Sequence, residues 1–86
     1  MSYQVIIPKP VQKQLDDLPD NVYNRVIKQI ISLRENPRPY GCKKLKSYDN
    51  EYRIRIGSYR LRYEIQDHKS IVILLHCEHR RIAYRD

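Results

Sequence analysis

Four arginines alternate with apolar or tyrosine side chains in one short stretch of the sequence, EYRIRIGSYRLRYEI, which spans positions 51 to 65. They are Arg53, Arg55, Arg60 and Arg62. Because successive side chains of an extended strand point to opposite faces, all four guanidiniums are predicted to lie on one face. A guanidinium stays charged at any physiological pH, and its planar fork matches two oxygens of a phosphate. This spacing therefore predicts a surface that binds phosphate groups.

The turn between the two halves of this stretch sets how the arginines pair. Gly57-Ser58 fits a two-residue hairpin loop with glycine first, as a type II′ turn requires. The resulting register places arginine opposite arginine in two pairs: Arg55 with Arg60, and Arg53 with Arg62. Like charges in direct cross-strand positions destabilise a sheet, and we expect Glu51 and Glu64 at the far end to offset only part of this repulsion. We therefore interpret the face as an anion-binding site rather than as an ordinary solvated face.

Two further groups of basic residues flank the predicted hairpin. The loop before it carries Lys43, Lys44 and Lys46, and the C-terminal stretch carries Arg80, Arg81 and Arg85, with Tyr84 beside them. A single lysine cluster is typical of a soluble loop. Three basic groups around one sheet face indicate a more extended site for a polyanion.

Composition limits the classes of protein that this chain can represent. Its 86 residues predict one domain, 1–86, with no room for an enclosed cofactor cavity, so we expect no cofactor. The formal charge is +7, which favours nucleic acid, anionic lipid or an acidic protein as a partner. With two cysteines and no apolar run long enough to span a membrane, the sequence predicts a reduced, cytoplasmic protein.

Apolar periodicity and turn residues predict the elements that position these side chains. The pattern indicates an α+β fold, in which an N-terminal strand and a two-helix hairpin pack on a twisted, mostly antiparallel β-sheet. The predicted strands are 3–7, 51–56, 59–66, 70–77 and a short one at 81–85. The predicted helices are 11–18 and 21–35, and Asp20 is predicted to cap the second. Residues 38–50 are predicted to form a loop. The run SIVILLHC predicts a central strand buried on both faces.

Three residues near the C-terminus, His76, Cys77 and His79, raise the possibility of a metal site. On a strand, however, His76 and Cys77 point to opposite faces. No Cys-x-x-Cys or second histidine pair completes a tetrahedral set. We therefore predict no metal site here, with Cys77 buried and the histidines partly exposed.

The basic motifs together resemble the RelE/ParE superfamily of type II toxin–antitoxin toxins. The features that carry the resemblance are a K-L-K segment, a Y-R-I-R-x-G-x-Y-R-x-x-Y hairpin and a closing H-R-x-x-x-Y. The N-terminal strand and the two helices match as well, so the resemblance covers nearly the whole chain. It implies two N-terminal helices against a curved antiparallel sheet.

The resemblance also implies an activity and a set of site residues. Members of the RelE branch are ribosome-dependent endoribonucleases that cut mRNA without a metal, whereas members of the ParE branch inhibit DNA gyrase. The implied partners are mRNA, the ribosome and a cognate antitoxin, expected to be acidic and encoded next to the toxin. The catalytic positions of the RelE branch fall on Arg53, Arg55, Arg60, Arg80 (or Arg81) and Tyr84. The remaining basic residues, Lys43, Lys44, Lys46, Arg62, Arg81 and Arg85, are expected to bind RNA phosphates.

The general base is left open by the sequence. RelE-type members often carry lysine at the positions that match Arg53 and Arg55, and arginine is a poor base at neutral pH. The candidates are Tyr84, a lysine within 43–46, and His79. Two alternatives to the nuclease also stand: a ParE-like gyrase inhibitor, and an RNA-binding relative without activity.

Overall fold

The structure is a computed structural model that describes residues 2–83, with side chains described as far as Arg81. Its strands are β1 (Gln4–Ile6), β2 (Lys43–Lys44), β3 (Glu51–Ile56), β4 (Tyr59–Gln66) and β5 (Ile71–His79), and its helices are α1 (Lys9–Asp16), α2 (Asp20–Leu33) and α3 (Arg80–Ala83). The sheet order is β1-β5-β4-β3-β2, in which β1 runs parallel to β5 and the other neighbours are antiparallel. Two helices pack on this mixed sheet, so the predicted α+β class is confirmed.

The two long helices each bury one apolar stripe against the sheet. In α1 the buried residues are Val11 and Leu15, and in α2 they are Val26, Ile30 and Leu33. Both helices start directly after a proline, whose fixed φ suits the entry to a helix. The predicted N-cap role of Asp20 is wrong, because Asp20 is the first helical residue and Pro19 holds the cap position. A carboxylate in the first turn still interacts favourably with the helix dipole.

The hairpin of β3 and β4 has the predicted bounds and the predicted register. Gly57 has a φ of 60° while Ser58 lies outside the positive-φ region, as a type II′ turn requires. Ile54, Leu61 and Tyr63 are buried on the face that the helices cover. This hairpin is therefore the rigid support that fixes the spacing of the four arginines.

Strand β5 lies between β1 and β4, but it is not buried on both faces as predicted. Val72 and Leu74 are buried on the helix side, whereas Ile71 and Ile73 are only half-buried on the other side. The outer face of the sheet has no covering layer of helices among the described residues, so alternate positions stay partly accessible. Within the described chain no helix is long and apolar enough to cross a bilayer; the longest, α2, has 14 residues.

A β-bulge interrupts the pairing of β4 with β5. Arg62 is opposite His76 and Tyr63 is opposite Leu74, so Leu75 is the extra residue on β5. An added residue reverses the alternation of every side chain that follows it. As a result His76 is exposed on the outer face and Cys77 is buried on the helix side.

The C-terminal stretch differs from its predicted strand at 81–85. β5 continues to His79, and the chain then enters α3 at Arg80. The backbone N–H of Arg80 donates to the carbonyl oxygen of Ser58 at 2.8 Å, which ties the end of β5 to the hairpin turn. The predicted loop at 38–50 also contains a short strand, β2, that pairs with β3.

Candidate functional site

The outer face of the sheet, opposite the helices, carries two rows of polar side chains, most of them charged, that run across the strands. We call this surface the basic face. Its first row is Lys43, Arg53, Arg62 and His76, and its second row is Arg55, Arg60 and Glu78. Neighbouring strands are about 4.8 Å apart, so these groups stand at short, regular intervals. The predicted clustering of the four hairpin arginines on one face is confirmed.

An open cleft of about 360 Å³ lies on the basic face. Its cations are Lys46, Arg53, Arg60 and Arg62, and its other polar groups include Tyr48, His76 and Glu78. The segment between β2 and β3 forms one wall, which is how Lys46 and Tyr48 come to stand beside the sheet. Four cations around one opening favour a ligand with phosphate groups.

A smaller cavity of about 70 Å³ lies next to the hairpin turn. Its lining brings together Arg55, Arg60 and Arg80 beside Gly57 and Ser58. The hydrogen bond from Arg80 to Ser58 explains how a residue so far along the chain reaches this position. Arg60 lines both cavities, so it is the arginine that connects the cleft to the turn.

Arg62 is paired with an acidic side chain of the same hairpin. Its guanidinium donates to Glu51 Oε1 at 2.7 Å and lies 5.3 Å from the centroid of the Tyr48 ring. Burial alone would lower the pKa of Arg62, but the hydrogen bonds with Glu51 and Tyr48 outweigh it and raise the pKa. Glu51 thus reaches Arg62 diagonally from the end of the hairpin, as expected.

The other predicted site residues are distributed more widely. Lys44 pairs with Tyr52 and so belongs to the opposite face of the sheet from Lys43. Arg81 is exposed on α3, and its backbone N–H donates to His79 Nδ1 at 3.2 Å. Tyr84 and Arg85 lie outside the described residues.

His79, one of the candidates for the base, lies on the helix side of the sheet. Its register partner is Tyr59, and the two rings meet edge to face with centroids 5.2 Å apart. Arg60 and its partner Glu78 point to the other side. His79 therefore does not share a face with the arginines that surround the cleft.

Sequence reasoning missed three residues that line the cleft: Tyr48, His76 and Glu78. Strict alternation along β5 would place His76 on the same side as Leu74, and the bulge at Leu75 reverses this. The sequence gives no local signal of the extra residue, because positions 71 to 75 are all apolar. His76 Nδ1 lies 3.4 Å from Glu78 Oε1.

Cys77 shows how the bulge also separates the residues that had raised the possibility of a metal site. It is buried, whereas the side chain of His76 is 48% exposed on the other face. Burial, together with the charge of Glu78, raises the pKa of the Cys77 thiol to about 11. In the part of the chain from 2 to 83, no group of three or more His, Cys, Asp or Glu side chains is arranged to hold a metal ion.

Comparison with protein families gives a match over most of the chain. Residues 5–84 match the family model described as ParE toxin of type II toxin–antitoxin system, parDE. The chain is also 35% identical to the RelE1 protein of Methanocaldococcus jannaschii over 89 aligned positions, which cover 100% of this chain and 99% of that protein.

Solved structures with the same fold include two toxin–antitoxin complexes. The archaeal RelE–RelB complex of Pyrococcus horikoshii OT3 contains a chain with a TM-score of 0.83 and 30% identity, over 93% of this chain and 97% of that one. The RelBE2 complex of Mycobacterium tuberculosis contains one with a TM-score of 0.79 and 26% identity, over 92% and 99% respectively.

Proposed function

Because the chain belongs to the RelE/ParE superfamily of type II toxin–antitoxin toxins and is RelE-like, we propose that it is a ribosome-dependent mRNA endoribonuclease. The observation that carries this proposal is the cleft on the basic face, where Lys46, Arg53, Arg60 and Arg62 surround one opening. Its volume of about 360 Å³ is within the range of sites that hold one small ligand, so it can accept a nucleotide unit of a single strand. An mRNA presented by the ribosome supplies such a strand.

The reaction is attack of a ribose 2′-hydroxyl on the adjacent phosphorus. The new bond joins the 2′-oxygen to phosphorus, the bond to the 5′-oxygen breaks, and negative charge grows on the phosphate oxygens. Fixed donors aimed at that charge lower the barrier because they do not need to reorganise. We assign Arg60 as the main phosphate clamp, since it lines both cavities, with Arg53 and Arg55 beside it.

The proposed partner is a cognate antitoxin, acidic and encoded next to the toxin. Two of the structural relatives are RelE–RelB or RelBE2 complexes, which supports an antitoxin for this chain as well. An acidic segment that covers the basic face would neutralise its cations and exclude RNA. We place the free toxin in the cytoplasm, where its ribosomal target is.

A second candidate function is inhibition of DNA gyrase without any nuclease activity. The observation that favours it is the family model itself, which describes a ParE toxin. In that case the basic face would bind a protein or DNA, and the transcripts in the cell would stay intact.

Induced expression followed by mapping of transcript ends separates the two candidates. We expect growth arrest, new 5′ ends inside translated regions of mRNA and normal supercoiling by purified gyrase. The double variant Arg60→Ala, Tyr84→Ala should lose both arrest and cleavage, whereas Arg34→Ala, an exposed arginine of the C-terminal end of α2, should behave as wild type. Intact transcripts with inhibited gyrase would instead support the ParE-like function, and equal arrest by the double variant would refute the catalytic assignment.

A further inference from the structure

The three histidines of the chain all lie in its described part, and one of them stands in the cleft. His68 belongs to the turn Asp67–Lys69, and His79 lies on the helix side of the sheet. His76 lines the cleft together with Arg53, Arg60 and Arg62. Imidazole is the side chain that ordinarily takes up and releases protons near neutral pH. His76 is thus placed where a base is required.

The β-bulge at Leu75 is what puts His76 in the cleft. Without the extra residue, His76 would follow Val72 and Leu74 onto the buried face. Bulges cost part of a strand ladder and are common next to active sites, where they redirect a side chain. Here the bulge also turns Cys77 inward, where the side-chain oxygen of Gln14 accepts a hydrogen bond from its backbone N–H at 2.8 Å. The interior therefore holds the bulged conformation in place.

Glu78 is arranged to orient the His76 imidazole. The two residues are on the same face of β5, and Nδ1 of His76 lies 3.4 Å from Oε1 of Glu78. A carboxylate beside Nδ1 favours the tautomer with the proton on that nitrogen. The lone pair is then on Nε2, at the other side of the ring. Such pairs are often looser before substrate binds than in the reacting complex.

The charged groups that line the cleft with His76 come from three strands and from the segment before β3. They are Glu78 on β5, Arg60 and Arg62 on β4, Arg53 on β3 and Lys46 in the segment before β3. Glu78 is the one acid among these cleft-lining residues. The cations can hold the phosphate, but arginine has no lone pair available to accept a proton at neutral pH. Of the groups assembled here, the imidazole combines a suitable position with a suitable chemistry.

We infer that His76 is the catalytic base of the proposed ribonuclease and that Glu78 is its positioning residue, an inference that rests on the proposed function. Nε2 of His76 takes the proton of the 2′-hydroxyl while the 2′-oxygen forms its bond to phosphorus. The bond between phosphorus and the 5′-oxygen breaks, and the leaving oxygen takes a proton from water. The products are a 2′,3′-cyclic phosphate and a 5′-hydroxyl, and His76 returns its proton to solvent.

The test compares His76→Gln with His68→Gln, the same substitution at an exposed histidine outside the cleft. Cleavage of mRNA is measured in a purified translation system, and binding of a short single-stranded RNA is measured by fluorescence anisotropy. We expect His76→Gln to slow cleavage by about 10²–10⁴-fold, the usual contribution of a general base, with RNA affinity unchanged. His68→Gln should match wild type in both measurements.

The pH dependence of the cleavage rate distinguishes a base from a merely structural residue. Wild type should lose activity as the pH falls and the imidazole becomes protonated, and His76→Gln should lack this acidic limb. Glu78→Gln should keep the limb but lower the cleavage rate, because an amide orients the imidazole less firmly than a carboxylate does. This second variant tests the same assignment without altering the base itself.

The outcomes separate this inference from the proposed function. If wild type cleaves mRNA and His76→Gln cleaves it at the same rate with the same pH profile, His76 is not the base, and the nuclease assignment stands. If wild type leaves mRNA intact, the proposed function fails and the role of His76 fails with it.

Discussion

Arginines occupy two contrasting environments in this molecule. Arg38, in the segment after α2, donates to both carboxylate oxygens of Asp67, at 3.2 and 2.7 Å, and from Nε to the Tyr52 hydroxyl at 3.2 Å. Its guanidinium also lies 5.1 Å from the centroid of the Tyr52 ring. Tyr3 completes this group, which we call the Arg38 cluster, by donating its hydroxyl to Asp67 at 2.7 Å.

On the basic face the sheet register places arginine against arginine instead. The protein gives Arg38 an anion and an aromatic ring, and the cluster thereby fastens the segment after α2 to the sheet. The two rows of the basic face place cations side by side, which lowers the free energy of unfolding of the free protein. Arg62 is intermediate, because it shares the face with the other arginines and yet pairs with Glu51. Arg38 therefore helps to hold the fold together, whereas the arginines of the basic face are set beside one another around an open cleft.

Among the arginines, replacing Arg60 by alanine should have the largest effect on activity. Loss of one fixed donor to a phosphate typically slows the chemical step by about 10²–10³-fold. Stability should change little, with the melting temperature within about 4 °C of wild type. Cleavage assays measure the activity, and thermal unfolding measures the stability. If Arg60→Ala is inactive and also melts far below wild type, Arg60 has a structural role like that of Arg38.

Replacing Arg38 by alanine should give the opposite pattern. We expect the free energy of unfolding to fall by about 1 kcal/mol, from the lost cation–π contact and exposed ion pair, which lowers the melting temperature by about 4–8 °C. Below that temperature the cleavage rate should equal that of wild type. A variant that keeps its melting temperature but loses activity would show that the Arg38 cluster belongs to the site.

A threonine at position 55 tests the stability cost of the arginine pairs. Arg55 is exposed and pairs with Arg60, so Arg55→Thr should raise the free energy of unfolding by about 0.2–1 kcal/mol while weakening RNA binding. Arg55→Lys keeps the charge and should retain most of the affinity without the gain in stability. Urea unfolding measures the stability, and RNA titration at fixed salt measures the affinity. A destabilised Arg55→Thr would contradict the idea that the arginine pairs cost stability.

The smallest expected effect is on the acid stability of the Arg38 cluster. Hydrogen bonds from Arg38 and Tyr3 lower the pKa of Asp67 from its ordinary value to about 2. A carboxyl group whose pKa is lowered on folding stabilises the protein above its unfolded pKa, and the stabilisation is lost as the pH falls through the folded value. Thermal unfolding between pH 4 and 2 should therefore show a steeper decline for wild type than for Asp67→Asn. If the melting temperatures of wild type and Asp67→Asn fall in parallel with pH, the Asp67 carboxylate adds no pH-dependent stability.

Much of the fold could be predicted because its signals are local. The turn at Gly57-Ser58 and the alternation on either side fixed the bounds of β3 and β4, their register and the shared face of the four arginines. The apolar stripes of α1 and α2 are equally local, since each is one periodic pattern within one helix. Errors fell at the ends of elements, such as the cap of α2, where neighbouring residues compete for one position.

The rest depended on contacts between residues far apart in sequence. The parallel pairing of β1 with β5 and the β2 strand beside β3 are decided by partners elsewhere in the chain. The bulge at Leu75 is one such case. The sequence of β5 alone does not show which of its residues will be left without a partner on β4. The sequence by itself determined that the arginines share a face. Tertiary structure decided that His76 and Glu78 join them, since pairing with β4 and packing of Cys77 against α1 select the direction in which β5 presents each side chain.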